Sequence, residues 1–172
     1  MRWAWIDRFI DFKSGQSAKA VKSLSMAEDY FADHIPGYPA MPATLMIEGL
    51  AQTGGLLVGE ADDFRDNVVL AKVPVARFYR EVLAGEQVTY DVELESIRPE
   101  GASIKGRILV DGELVGEAEI FFAKLTAART QEVFGQANFV FGGELQRMMN
   151  LVKAIIKQQQ LPLQQVQSAK KQ

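Results

Sequence analysis

The sequence contains no cysteine and only one histidine, and these two scarcities narrow its possible chemistry. Without cysteine there is no disulfide framework and no thiolate to act as nucleophile or metal ligand. A single histidine disfavours a catalytic zinc centre, which usually takes several His or Cys ligands. The sequence also lacks a phosphate-binding glycine loop and a dinucleotide fingerprint. We therefore expect neither a metal nor an organic cofactor.

Long apolar runs and a dominant charge are absent as well. No segment reaches the ~20 apolar residues that a membrane span requires, so we expect no span and a cytoplasmic location. Lys and Arg total 19 against 22 Asp and Glu, which gives a formal charge of −3. This balance does not favour nucleic acid as a partner. The length of 172 residues suits one main domain with its own core.

Period-two patterns predict strands in both halves of the chain. Residues 3–24 indicate two strands joined near residues 13–15, and residues 68–78 indicate a third. Residues 86–97 alternate apolar with polar side chains, as a strand with one wet face does. The Asp111-Gly112 pair, between two further apolar segments, is typical of a tight hairpin turn. The second half is therefore predicted to be an antiparallel meander.

A buried helix is predicted between these strands, at residues 43–59, because a proline-rich loop precedes it and its apolar residues cover every face. Its few polar side chains include Thr44, Glu48 and Gln52, spaced to lie on one line along the helix. The predicted fold class is α+β, with an antiparallel sheet wrapped around a central apolar helix, the arrangement known as the hotdog fold.

The tail of the chain has a different pattern from the rest. We divide the sequence into a domain at 1–125 and an extension at 126–172, with an amphipathic helix at about 143–159 and a flexible end. The apolar stripe of this helix is expected to pack on the domain or on a neighbouring subunit. A membrane-surface helix is the alternative, although basic residues near the stripe are few. The stripe consists of Leu145, Met148, Met149, Val152, Ile155 and Ile156.

Two side chains are the main candidates for chemistry. Glu48 places a carboxyl group on an otherwise apolar helix, where burial raises a pKa and suits the group to act as a general acid. The alternative is a partly exposed surface glutamate. His34 is the one side chain whose ordinary pKa lies near neutrality, but taken in isolation it is better explained as a loop histidine packed beside prolines.

The spacing of these residues resembles the active-site signature of the FabZ-type (3R)-hydroxyacyl-[acyl-carrier-protein] dehydratases. That signature has a histidine, a proline-glycine pair, two more prolines, and an acid 14 positions after the histidine, as found between His34 and Glu48 here. The resemblance covers roughly residues 5–125. Two positions depart from it, because Ala43 replaces the usual glycine and Ile35 the usual phenylalanine. The matching residues are His34, Pro36, Gly37, Pro39, Pro42, Glu48 and Gln52.

The resemblance implies a mechanism without a metal or cofactor. His34 would remove a proton next to the thioester carbonyl, and Glu48 would protonate the departing 3-hydroxyl group. Backbone amides at Gly37 and Ala43 would hold the carbonyl oxygen, and Gln52 would orient Glu48, unless it is only a helix-surface amide. A glutamate at the acid position resembles the branch that dehydrates without isomerising. The departures at Ala43 and Ile35 suggest an altered substrate range.

The resemblance also implies partners. The substrate would arrive on an acyl carrier protein, which is acidic, and Arg77 and Arg80 would help to dock it unless they merely form a solvated strand end. The protein would be a homodimer or a higher assembly of dimers, each site combining His34 of one chain with Glu48 of the other. Two other functions remain open at this point. One is a hotdog thioesterase, and the other is a non-catalytic acyl-binding protein.

Overall fold

The computed structural model describes residues 4–135 together with residues 147, 148, 150–152 and 154. It confirms the α+β class, with six antiparallel strands in one sheet and a long helix packed on one face. The strands lie side by side in the order β1-β2-β4-β5-β6-β3. They are β1 (Arg8–Lys13), β2 (Ser17–Ser23), β3 (Asn67–Phe78), β4 (Gln87–Arg98), β5 (Gly101–Val110) and β6 (Glu113–Leu125).

The central helix α2 (Ala43–Ala61) begins directly after Pro42, whose fixed φ suits a helix start. It runs two residues beyond the predicted end. From Gly49 to Gly59 every residue is buried, because the helix packs against strands β2 to β6 of the sheet. Glycines permit the close approach, since a Cβ at Gly49 would lie 2.1 Å from Cζ of Tyr90 on β4. The first turn, at Ala43 and Thr44, is exposed.

The hairpin between β5 and β6 forms as predicted. Asp111 and Gly112 both have positive φ, at 50° and 83°, as a two-residue type I′ turn requires. The prediction of one wet face on β4 was wrong at Asp91, whose carboxylate is only 5% exposed. It is covered by Lys19 at 3.1 Å and Arg107 at 2.8 Å, so a charged residue is buried by its own ion pairs.

Asp91 belongs to a row of charges that crosses the outer face of the sheet, away from α2. The row contains one residue from each strand, and each residue is the direct cross-strand partner of the next. Positive and negative charges alternate along the row. Opposite charges on neighbouring strands stabilise the observed register. From β1 to β3 the row is Asp11, Lys19, Asp91, Arg107, Glu117 and Arg77.

Strand β3 forms one edge of the sheet and most of its residues are partly or fully exposed. It contains Pro74, which an edge strand tolerates because proline cannot donate a ladder hydrogen bond. The pairing with β6 is irregular on either side of Lys72. Among the described residues, no strand pairs with the outer edge of β3. Within the same residues, no helix is long and apolar enough to cross a membrane.

Two short helices were not predicted from the sequence. Helix α1 (Tyr30–Asp33) leads into the proline-rich loop, and α3 (Ala127–Phe134) follows β6. The hydroxyl of Thr126 caps α3 by accepting from the backbone N–H of Arg129. Asn67 Nδ2 at the start of β3 donates to Thr130 Oγ1 at 3.1 Å, a buried bond that joins α3 to the sheet.

The C-terminal amphipathic helix is described only in part. Residues 147, 148, 150–152 and 154 are helical. Val152 is fully buried in the hydrophobic core and Met148 packs against it, whereas Leu151, outside the predicted stripe, is exposed. The stripe therefore faces the domain at these two positions. Four of its other members, Leu145, Met149, Ile155 and Ile156, lie outside the described residues, and the division at residue 125 stays a prediction.

Candidate active site

His34 lies at the C-terminal end of α1, where its backbone N–H donates to Tyr30 O at 2.9 Å. A tight turn follows from Ile35 to Tyr38, closed by the Tyr38 N–H donating to Ile35 O at 2.9 Å. Pro36 and Gly37 occupy the two central positions, and Gly37 has φ 81°, which glycine adopts without strain. In this backbone conformation His34 is exposed to solvent.

The imidazole of His34 has one nitrogen already engaged. Its Nδ1 lies 3.3 Å from Ala40 O, and because a carbonyl oxygen only accepts, Nδ1 must carry the proton of that bond. In the neutral ring the other nitrogen, Nε2, then has a free lone pair. The loop therefore selects the tautomer that can accept a proton from a substrate.

Glu48 lies in the second turn of α2 and is partly buried. Burial raises the pKa of its carboxyl group, and a hydrogen bond from Gln52 lowers the pKa by a smaller amount, so the net direction is upward. Gln52 Nε2 donates to Glu48 Oε1 at 3.0 Å, while Gln52 Oε1 accepts from the backbone N–H of Trp5 at 2.8 Å. Gln52 itself is buried. Gln52 therefore links Glu48 to the backbone of Trp5.

A cavity of about 350 Å³ opens beside His34. It brings together His34, Ala43 at the start of α2, and Arg80 after the end of β3. Among the residues described, Glu48 and Gln52 do not line this cavity. Within one chain, the candidate base and the candidate acid therefore do not line the same cavity.

The start of α2 offers backbone donors to this cavity. The first amides of a helix have no acceptor within the helix, and the N-terminal end carries a partial positive charge. Ala43 occupies the first helical position and is exposed. Replacing glycine by alanine keeps this N–H. Gly37 is exposed in the turn and is not among the described residues that line the cavity.

The two candidate docking arginines are both ion-paired. Arg77 Nη1 lies 2.9 Å from Glu117 Oε1, on the outer face of the sheet. Arg80 contacts two glutamates, Glu86 at 3.0 Å and Glu113 at 3.2 Å. Their charges are thus largely balanced within the chain. Arg80 differs from Arg77 because it also lines the His34 cavity.

Sequence reasoning missed two contributors to this region. Trp5 acts through its backbone N–H, which no side-chain pattern reveals. Glu81 accepts a hydrogen bond from Tyr38 Oη at 2.6 Å across 43 positions of sequence. Within the described part of the chain, no group of three His, Cys, Asp or Glu side chains is arranged to hold a metal ion.

Comparisons with known proteins agree with this picture of the fold. A family model described as a FabA-like domain matches residues 2–119. A relative from Pelotomaculum thermopropionicum, 38% identical over 119 residues, covers 69% of this chain and 85% of its own length. One from Thermomicrobium roseum is 38% identical over 128 residues, with 73% and 86% covered. Both are named 3-hydroxyacyl-[acyl-carrier-protein] dehydratase FabZ.

Solved structures share the fold at low sequence identity. The dehydratase heterocomplex ApeI:P from Xenorhabdus doucetiae superposes with a TM-score of 0.63 at 13% identity, covering 78% of this chain and 91% of that one. Thioesterase HI1161 from Haemophilus influenzae gives 0.55 at 12% identity, with 68% and 77% covered. Enzymes described by different reactions thus share this architecture, so the fold alone does not select between them.

Proposed function

The chain belongs to the FabA-like family, and we propose that it is a 3-hydroxyacyl-[acyl-carrier-protein] dehydratase acting in fatty acid or related lipid biosynthesis. It removes water from a (3R)-3-hydroxyacyl thioester and gives a trans-2-enoyl thioester. The proposal is supported by the presence of two complementary groups within one motif. His34 presents a free Nε2, and the partly buried carboxyl of Glu48 has a raised pKa.

The reaction needs one proton removed and one supplied. His34 Nε2 accepts the proton from the carbon next to the thioester carbonyl, and the electrons of that bond move toward the carbonyl oxygen. Backbone amides near Ala43 and Gly37 stabilise this developing charge, which is the usual role of an oxyanion hole. Glu48 protonates the 3-hydroxyl group as its bond to carbon breaks, the double bond forms, and water leaves.

The environment of Glu48 suits the acid role. A carboxyl group with an ordinary pKa is almost fully ionised near neutral pH, so little of it can give up a proton. Burial of Glu48 favours the neutral form, and the Gln52 amide fixes the carboxyl position. His34 and Glu48 also serve the reverse hydration. After dehydration His34 carries a proton and Glu48 has lost one, so in the reverse direction His34 acts as the acid and Glu48 as the base.

We further propose that the site is completed by a second copy of the chain. His34 and Glu48 do not line one cavity among the described residues, and the His34 side chain is exposed. The outer edge of β3 has unpaired backbone groups in the part of the chain that is described, which favours edge-to-edge pairing with another β3. A two-fold axis at that edge would repeat the contact on both chains and make two equivalent sites.

The carrier is proposed to be an acidic acyl carrier protein that approaches through Arg77 and Arg80. Arg80 lines the His34 cavity, so a carrier bound there would deliver its acyl chain beside the base. Both arginines already contact glutamates, so docking has to exchange those partners for carrier carboxylates. Ion pairs between such exposed side chains are weak and are screened by salt.

The proposed activity is tested by supplying a crotonyl thioester, on coenzyme A and on an acyl carrier protein, and following its hydration. The wild-type protein should hydrate the double bond without releasing free thiol. His34→Ala and Glu48→Gln should each lower turnover by about 10²–10⁴-fold while keeping the melting temperature, because each removes a proton-transfer group rather than core volume. Release of free thiol without hydration would instead identify a thioesterase.

A further inference from the structure

The turn after His34 is fastened by a hydrogen bond between two exposed side chains. Tyr38 is the last residue of the turn, and its Oη donates to Glu81 Oε2 at 2.6 Å. Glu81 lies after β3, on the segment that lines the His34 cavity. We propose that the Tyr38–Glu81 pair is a latch that positions the His34 imidazole for proton abstraction. This inference rests on the proposed dehydratase function.

Within one chain, few other bonds hold the turn between α1 and Pro39. Within one chain every residue from Ala32 to Tyr38 is exposed, so no packing against its own core fixes the position of this segment. Inside the turn, the hydrogen bond from Tyr38 N–H to Ile35 O closes the chain on itself but does not tie it to the domain. An exposed segment with few external bonds opens locally at low free energy. A base carried by it needs an external anchor.

The latch extends a backbone contact that already holds the other end of the loop. Ala40 forms a bridge with Leu83, and the Met41 N–H donates to Val82 O at 2.8 Å. Ala40 is also the residue whose carbonyl oxygen accepts from His34 Nδ1. The backbone bridge therefore fixes the acceptor of the imidazole.

The side-chain latch adds the second point of attachment. These backbone contacts hold the chain from Pro39, whose carbonyl accepts from Ala84 N–H at 3.1 Å, to Met41, but the turn that links this stretch to His34 lies outside them. Tyr38–Glu81 ties that turn to the same segment after β3. With both attachments in place, the imidazole and its carbonyl acceptor keep one relative position. Without the latch, the 3.3 Å contact to Ala40 O is the bond that lengthens first.

The test compares four variants in the crotonyl hydration assay. Tyr38→Phe and Glu81→Ala should each lower kcat by about 10-fold with little change in KM, because a displaced base slows the chemical step rather than binding. The double variant should lose no more than either single one, since both delete the same bond. Glu81→Gln should recover most of the turnover lost in Glu81→Ala, because its amide oxygen still accepts from Tyr38.

Ser14→Ala is the matched control. Ser14 Oγ donates to Glu60 Oε2, also at 2.6 Å and between exposed side chains, at the far end of α2. Its loss should leave kcat unchanged. An unchanged kcat in a folded Tyr38→Phe protein, additive losses in the double variant, or a Glu81→Gln protein as slow as Glu81→Ala would each overturn the latch. If the wild-type protein itself does not hydrate the thioester, the proposed function fails instead.

Discussion

Gln52 controls the candidate acid through a fixed amide orientation. The backbone N–H of Trp5 can only donate, so the amide oxygen of Gln52 must face it and the NH₂ group must face Glu48. The amide therefore donates to the carboxyl and favours its ionised form, against the larger effect of burial. The balance of these two effects sets the pH at which Glu48 loses its proton.

Replacing Gln52 with leucine should shift the pH dependence of dehydration. Without the Gln52 donor, the pKa of Glu48 rises further, because burial is then less opposed. The acid is active when protonated, so activity falls as the pH rises through this pKa. The alkaline limb of the kcat profile should therefore move to higher pH in Gln52→Leu, which pH-rate measurements check.

The neighbouring Thr53→Val variant separates this effect from a loss of stability. Thr53 Oγ1 donates to Gly49 O at 2.8 Å in the buried helix, so its loss perturbs α2 without touching the carboxyl of Glu48. This variant should lower the melting temperature and leave the alkaline limb in place. A limb that moves equally in both variants, or that moves to lower pH in Gln52→Leu, would contradict the role assigned to Gln52.

For single residues, the sequence predicted the candidate side chains better than it predicted their hydrogen-bond partners. The spacing of His34 and Glu48 and the position of Gln52 were visible in the sequence. The bonds that orient them involve the backbone of Trp5 and Ala40, and backbone groups carry no sequence signal. That Glu48 does not line the cavity beside His34 within one chain likewise depends on the folded loop.

The central helix depends on a close contact with the sheet. Gly49 directly follows Glu48, and a Cβ there would lie 2.1 Å from Cζ of the fully buried Tyr90. Gly49→Ala should therefore lower the free energy of unfolding by about 1–3 kcal/mol through overpacking. This loss exceeds the gain of up to about 1 kcal/mol that alanine gives within a helix. Urea denaturation measures the difference.

Gly55 on the same helix provides the opposite case. A Cβ there would lie 3.7 Å from the nearest atom, Cε1 of Phe122, which is an ordinary contact. Gly55→Ala should therefore leave stability unchanged or raise it by up to about 1 kcal/mol. Equal stability of Gly49→Ala and Gly55→Ala would contradict the close packing of α2 against Tyr90.

Strands and the long helix were predictable because their patterns are local. The Asp111-Gly112 turn and the apolar α2 follow from neighbouring residues, and both formed as expected. Helix α3 was missed because its packing depends on a bond between Thr130 and the distant Asn67. The burial of Asp91 was missed for a similar reason, since it needs cations from two other strands.

The segment after β6 contributes to the stability of the whole molecule, because part of it is buried against the domain. Truncation after Leu125 removes Thr130, the buried partner of Asn67, and Val152, which is fully buried. We expect the free energy of unfolding to fall by about 2–4 kcal/mol from these losses together. Truncation after Gly135 keeps α3 and should recover the part that Thr130 contributes. Two truncated proteins as stable as the full chain would refute this packing role.

The proposed docking of the carrier protein depends on exposed charges at the protein surface. Charge reversal at Arg77 and Arg80 should raise KM for carrier-linked substrate, and the effect should shrink as salt increases. Arg65→Glu, at an exposed arginine that follows the C-terminal end of α2 and is paired with Asp62, is the control and should leave this KM unchanged. An equal rise of KM for coenzyme A substrates would count against docking at these arginines.

In the shared site proposed above, His34 of one chain acts with Glu48 of another. Mixtures of two inactive proteins test this arrangement. His34→Ala and Glu48→Ala chains are unfolded together, reassembled, and assayed for hydration of a crotonyl thioester. Each mixed dimer pairs an intact His34 from one chain with an intact Glu48 from the other, in one of its two sites.

Complementation in this mixture is the most direct measurement. Random assembly makes half of the dimers mixed, so roughly a quarter of the wild-type activity should return. Differently tagged chains, copurified before the assay, show that mixed dimers have formed. Activity that returns at this level supports a shared site, and mixed dimers that form without any activity would contradict it.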